Sequence, residues 1–292
     1  MAEARKLLAN LSSFKDAQGS LLLVRNCASW CKMIYASRTV PPSLQLHALA
    51  ELDDAIRKSL EKIVGDRVSD RSWALAQLGI TNGGIGLRST VKHSPAAYLS
   101  SVLRSRDLCA LIDPGFDSSD ACQGLQFAAT RDSLQSQILE AAWWEREGHI
   151  PTQQELSSLI DAATRRSILD AHSADPLWCS HVELCSVPGA GAWGPALPVP
   201  DGRQIETPLF QVALKRRLRE PVLDDDVCCP CCGSAMDKWG DHGLVCSCHG
   251  DRTVRHNCVR NLVYEDAAIA GLRPRREKPG LLPGRPAQLM MA

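Results

Sequence analysis

Cys229 and Cys232 form a C-x2-C pair, and nine residues later His242 and Cys246 form an H-x3-C pair. Two such pairs joined by a short loop can bring three thiolates and an imidazole to the corners of one tetrahedron, the geometry zinc prefers. Gly233 directly after the first pair suits a tight knuckle, and Asp241 is an adjacent candidate to orient the second ring nitrogen of His242. Spacing alone leaves the choice open. Cys228 with Cys231 offers the same interval one residue earlier, and Cys248 and His249 compete with Cys246. We favour Cys229, Cys232, His242 and Cys246 because Gly233 follows that pair. Four protein donors leave no open position, so the expected site is structural. A metal of this kind contributes on the order of 10 kcal/mol to the folding of a small module.

The rest of the composition supports metal over disulfides. Six of the thirteen cysteines fall within 21 residues, and the other seven (Cys27, Cys31, Cys109, Cys122, Cys179, Cys185, Cys258) are scattered and read as small hydrophobes. Met1 to Lys6 lacks the apolar stretch of an export signal, and no run approaches the roughly 18 apolar residues of a membrane span. The expectation is an intracellular chain, nuclear or cytoplasmic, with reduced thiols and no membrane contact. At 292 residues, 45% apolar and 23% charged, it has the length for two modest domains and is not a disordered polymer. Lysine plus arginine equals aspartate plus glutamate, 33 each, so any affinity for nucleic acid is local.

Upstream of the cysteine cluster the chain reads as mostly helical. Leu46, Leu49, Leu52, Ile56, Leu60 and Ile63 recur at steps of three and four, predicting an amphipathic helix after Pro41-Pro42 with Ser43 as its cap and Gly65 at its end. Asp53-Asp54 falls on its polar side and reads as solvated charge. Ala17 to Tyr35 predicts a helix packed on it, and Gly79 to Leu87 predicts a structural turn. Further helices are expected over Ser94–Arg104 with Pro95 in the opening turn, Ser118–Glu147 and Gln153–Ala171. Residues 187–227 read as a linker carrying a short basic helix from Pro208 to Arg219, with Asp224 to Asp226 as a soluble spacer. The fold class is mainly α, with a helical bundle over 1–186, the linker over 187–227, the knuckle over 228–250 and a basic segment over 251–292.

That last segment holds eight lysines and arginines against four acids, an excess of four that suits a phosphate backbone. Val254 to Ala270 predicts a helix with Arg255, His256 and Arg260 near its start, where the dipole disfavours cations unless an anion joins them. Arg216, Arg217, Arg252, Arg255, His256 and Arg260 are the candidate nucleic-acid contacts, RNA or DNA. No small-molecule substrate is expected.

The order of these features resembles a known family. Leu22 to Cys27 (LLVRNC), Arg38 to Pro42 (RTVPP), Gly83 to Ser89 (GGIGLRS), Gly189 to Trp193 (GAGAW), Arg216-Arg217-Leu218, CPCCG from Cys229, GDH from Gly240 and GDRTVRHN from Gly250 stand in sequence. Together they look like the carboxy-terminal part of non-LTR retrotransposon reverse transcriptases. The resemblance implies thumb-like helices before about residue 187, a CCHC zinc knuckle at Cys229, Cys232, His242 and Cys246, and the opening of a restriction-like nuclease at Arg255-His256. It also implies what is missing. Tyr35 to Arg38 has none of the carboxylates of a two-metal polymerase site. Glu277 matches a first acidic residue of the nuclease, but Gln288 stands where an Arg-Pro-Ala-Asp element has aspartate. A truncated, catalytically incomplete fragment that binds nucleic acid is therefore expected. The rivals are an endonuclease completed by another chain, which would cleave with magnesium and lose activity in Glu277→Ala, and a zinc-stabilised protein-interaction module.

Overall fold

Leu49, Leu52, Ile56, Leu60 and Ile63 lie on one stripe of a helix from Pro42 to Val64, all buried, and this helix is the spine around which the first part of the chain packs. The computed structural model describes residues 2–117, 122, 124–138, 149–198, 204–246, 248 and 251–276. It divides into two compact units, Met1–Val222 and Leu223–Ala292. The chain is mainly helical, with one small two-stranded sheet.

In the first unit, α1 (Ala2–Leu11), α2 (Ala17–Leu23), α3 (Trp30–Thr39), α4 (Pro42–Val64) and α5 (Asp70–Gln77) precede the glycine loop, and α6 (Thr90–Ile112) follows it. After these come α7 (Leu125–Gln137), α8 (Gln153–Ala171), α9 (Pro176–Cys185) and α10 (Thr207–Leu218). Three apolar clusters hold them. Leu8, Leu52, Ile56, Leu60, Phe210 and Leu214 form the largest. Leu99, Leu134, Leu156 and Ile160 join α6, α7 and α8, and Leu75, Ile168, Trp178 and Val182 join α5, α8 and α9.

The helix expected from Ala17 to Tyr35 is divided by a π-turn at Val24–Ala28 and a break at Ser29. Pro42, not Ser43, opens α4, because proline's fixed φ and missing N–H suit a first helical position; Gly65 ends it in the left-handed region, φ 78°. Asp53 is buried, not solvated. Its carboxylate accepts from Ser89 Oγ at 2.6 Å and from the amide of Thr90 at 2.7 Å, filling donors that the first turn of α6 would otherwise leave unpaired. That cap lets α6 begin at Thr90, so Pro95 lies inside the helix; Ser94 Oγ donates to the carbonyl of Val91, the one proline cannot serve, at 3.1 Å.

Residues 187–222 are part of the first unit rather than a spacer. α10 buries Phe210, Leu214 and Leu218 completely, and Trp193 meets the Phe210 ring edge-on at 5.6 Å between centroids. Gly84 explains the glycine loop. A Cβ there would collide with the carbonyls of Leu78 and Leu75, and the tight backbone turn presents the Ile80 and Gly84 carbonyls to Arg217 of α10, each at 3.1 Å.

In the second unit, β1 (Val227–Cys228) pairs antiparallel with β2 (Ala235–Met236), Val227 opposite Met236 and Cys228 opposite Ala235. A five-residue helix, α11 (Asp241–Val245), and a longer one, α12 (Asp251–Ile269), follow.

Candidate metal centre

The hairpin turns within Cys229 to Ser234, and two backbone bonds close it. The Cys229 amide donates to Ser234 O at 2.8 Å, and the Gly233 amide to Cys229 O at 2.9 Å. Gly233 takes φ 74°, which a side chain would resist, so it lets Cys232 return toward Cys229. The other pair brackets α11: His242 lies in its first turn and Cys246 caps its end, the Cys246 amide donating to His242 O at 2.8 Å.

Two acids, one unassigned by the sequence and one read as spacer, hold these pieces. One Asp237 oxygen accepts from the amides of Trp239 at 3.0 Å and Asp241 at 3.2 Å, and the other from the amide of His242 at 3.3 Å, so this carboxylate supports the start of α11. Its sequence signal was an aspartate two residues before Trp239 and three before Gly240, an Asx-turn pattern. Asp226, expected as a spacer residue, accepts from the Lys238 amide at 2.8 Å. The Leu223 amide donates to Lys238 O at 2.9 Å, completing the brace.

The four donor atoms of Cys229, Cys232, His242 and Cys246 lie within 4.8 Å of one another. Cys229 Sγ is 3.9 Å from Cys246 Sγ, and Cys232 Sγ is 3.1 Å from His242 Nε2. A tetrahedral ion with metal–sulfur bonds of about 2.3 Å puts its sulfurs about 3.8 Å apart, so the set fits a small ion of that geometry. Cys229 and Cys246 are buried; Cys232 is exposed and His242 intermediate. Cys228 and Cys231 are exposed and Cys248 is intermediate; none belongs to the cluster, and His249 lies outside the described residues.

The electrostatics favour a cation. Amides of Cys232 and Cys231 draw the Cys229 thiol below its ordinary range, and the Ser234 hydroxyl and amide draw Cys232 down to about 6. His242 is raised by its contacts with Cys229 and then Cys232. The Cys248 amide pulls Cys246 downward, but burial and the neighbouring Cys232 and Cys229 sulfurs outweigh it and push the thiol up to about 11. Three sulfurs this close cannot all ionise beside one imidazole. A divalent ion held by the four would supply the charge that lets them.

The expected nucleic-acid contacts are dispersed. Arg217 is withdrawn from that role, because its guanidinium is buried against the Ile80 and Gly84 carbonyls and has no surface to offer. Arg216 is half-buried on the same helix. On α12, Arg252, His256 and Arg260 are four apart and so fall along one side, with Arg255 beside them. Arg255 and His256 are exposed, Arg260 bonds Asn261 Oδ1 at 3.2 Å, and the Arg252 side chain lies outside the described residues. Because α12 opens at Asp251, Arg255 sits beyond its first turn, where the unfavourable dipole has decayed. Glu277 and the Arg285–Gln288 stretch also lie outside the described residues. Among those described, no helix is long and apolar enough to cross a membrane. Compared with models of protein families, with curated proteins and with solved structures, the chain matches none.

Proposed function

We propose that this chain is a nucleic-acid-binding segment related to the carboxy-terminal part of non-LTR retrotransposon reverse transcriptases. Structural zinc at Cys229, Cys232, His242 and Cys246 shapes its knuckle, and the cationic side of α12 meets phosphate. The observation that carries this reading is the convergence of those four donors, in the order the family resemblance implies, on a site of tetrahedral size. The ion would hold the hairpin and α11 together; the contacts to phosphate belong to Arg252, Arg255, His256 and Arg260. Metal analysis of the purified chain is expected to return about one zinc per chain. Binding to single-stranded RNA and DNA oligonucleotides should weaken steeply with salt, and Arg255→Ala with Arg260→Ala should lower the slope of log K against log salt by about 1.4. A zinc-free protein overturns the knuckle, a slope untouched by that pair overturns the α12 contacts, and a zinc-loaded chain that binds no oligonucleotide overturns the nucleic-acid reading.

The second reading is a zinc-stabilised protein-interaction module. It is favoured by the exposure of Val254, Leu262 and Ile269 on α12, at 57%, 60% and 85%. A zinc-loaded chain that binds no oligonucleotide would select it.

A further inference from the structure

A groove of about 550 Å3 runs along the first unit between the end of α3, the middle of α6 and the start of α8, lined by Arg38, Ser101, Arg104, Ser105, Thr152 and Gln153 among others. No carboxylate lines it among the described residues. That sets it apart from a larger hollow beside α4, where Arg5 meets Glu51 and Lys58 meets Asp54. Arg38 Nε and Nη2 lie 3.0 and 2.8 Å from Gln153 Oε1, a neutral partner that orients the guanidinium without cancelling its charge. Arg104 is exposed and makes no hydrogen bond or ion pair among the described residues, whereas Arg106 nearby is matched by Asp107 at 3.0 Å. The start of α8 adds little, since Thr152 and Glu155 already cap it reciprocally. The two guanidiniums are the active feature.

One turn before Arg38 on α3, Tyr35 is 77% exposed. An exposed aromatic one turn from Arg38, on the helix that edges a groove whose two arginines have no acidic partner among the described residues, matches what an unpaired strand needs, a cationic track for its backbone and a flat surface for a base. We propose that this groove binds the phosphodiester backbone of a single-stranded nucleic acid, with Arg38 and Arg104 on phosphate oxygens and a base stacked on Tyr35. The inference rests on the nucleic-acid reading above and adds a contact surface in the first unit, far in sequence from the metal centre. A double helix is disfavoured, because its bases are already stacked and unavailable to Tyr35.

The test uses the full chain, loaded with zinc, and a fluorescent single-stranded oligonucleotide titrated at several salt concentrations. Arg38→Ala with Arg104→Ala should lower the salt slope by about 1.4, and the two arginine-to-lysine replacements should restore most of it. Tyr35→Ala should weaken binding about tenfold with the slope unchanged. Arg104→Glu, at a side chain with no described partner, should weaken binding while the melting temperature stays put. If the chain binds and these variants leave affinity and slope alone, while Arg255→Ala with Arg260→Ala lowers them, the groove is overturned and the α12 reading stands. If only the groove variants matter, the groove stands and α12 falls. No oligonucleotide binding by the zinc-loaded chain, or capture of poly-glutamate in its place, overturns both.

Discussion

Arg217 and Arg104 carry the same charge into different surroundings. Arg217 replaces its water shell with two peptide carbonyls, so its guanidinium works as an internal brace between α10 and the glycine loop. Removing it leaves the Gly84 carbonyl without its described donor, while Ile80 O keeps only the Gly83 amide at 3.2 Å. Arg217→Ala is expected to destabilise the first unit by about 2 kcal/mol in urea titration while the salt slope of oligonucleotide binding stays as it was. The cysteines divide in a comparable way. Cys228→Ser and Cys231→Ser should retain zinc in metal analysis, whereas Cys229→Ser and Cys232→Ser should lose it; the reverse result would move the site one residue along the chain. The convergence of Cys229, Cys232, His242 and Cys246 was legible because two short intervals bring two donor pairs together and Gly233 selects between the overlapping cysteine pairs. Arg217 was not. In a run of basic residues, nothing local says which one faces a carbonyl-rich loop more than 130 positions away.

At the scale of elements, α4 was readable from its apolar stripe, but its partner contacts were not. Asp53 is buried by the arrival of the first turn of α6, 37 residues on at Thr90, and only then becomes a cap in place of a surface charge. The same helix carries His93, which is buried with Nε2 3.4 Å from Asp161 Oδ1. Arg88 Nη2 lies 3.4 Å from the other Asp161 oxygen. Burial lowers the His93 pKa; Asp161 pulls it upward, with Arg88 and Lys92 opposing, and burial prevails. Nδ1 has no hydrogen-bond partner among the described residues, so charging the ring would bury a second N–H with no described acceptor. Below about pH 6.5 the unfolded chain therefore takes up this proton before the folded one, and stability declines as pH falls through that window. Urea midpoints measured from pH 7.5 to 5.5 should show that decline, reduced in His93→Gln.

At the scale of the molecule, the two units depend on different glue. The first has three apolar clusters, while among the described residues of the second only Cys229 and Cys246 are buried, and both belong to a donor set of ionic size. The division expected near residue 187 falls instead at Val222, because α10 belongs to the largest cluster. Sequence pattern undervalued that helix, since Lys215 to Arg217 advertise a surface while Phe210, Leu214 and Leu218 turn inward. A chain stopped at residue 186 lacks all three and is expected to melt without a cooperative transition, followed by circular dichroism, whereas one stopped at 222 should melt cooperatively. The late position of α10 also has a consequence for synthesis. At the usual speed of translation, about 5–20 residues per second, α1, α2 and α4 leave the ribosome on the order of ten seconds before the strip of apolar surface that seals them, and during that interval a chaperone has something to hold.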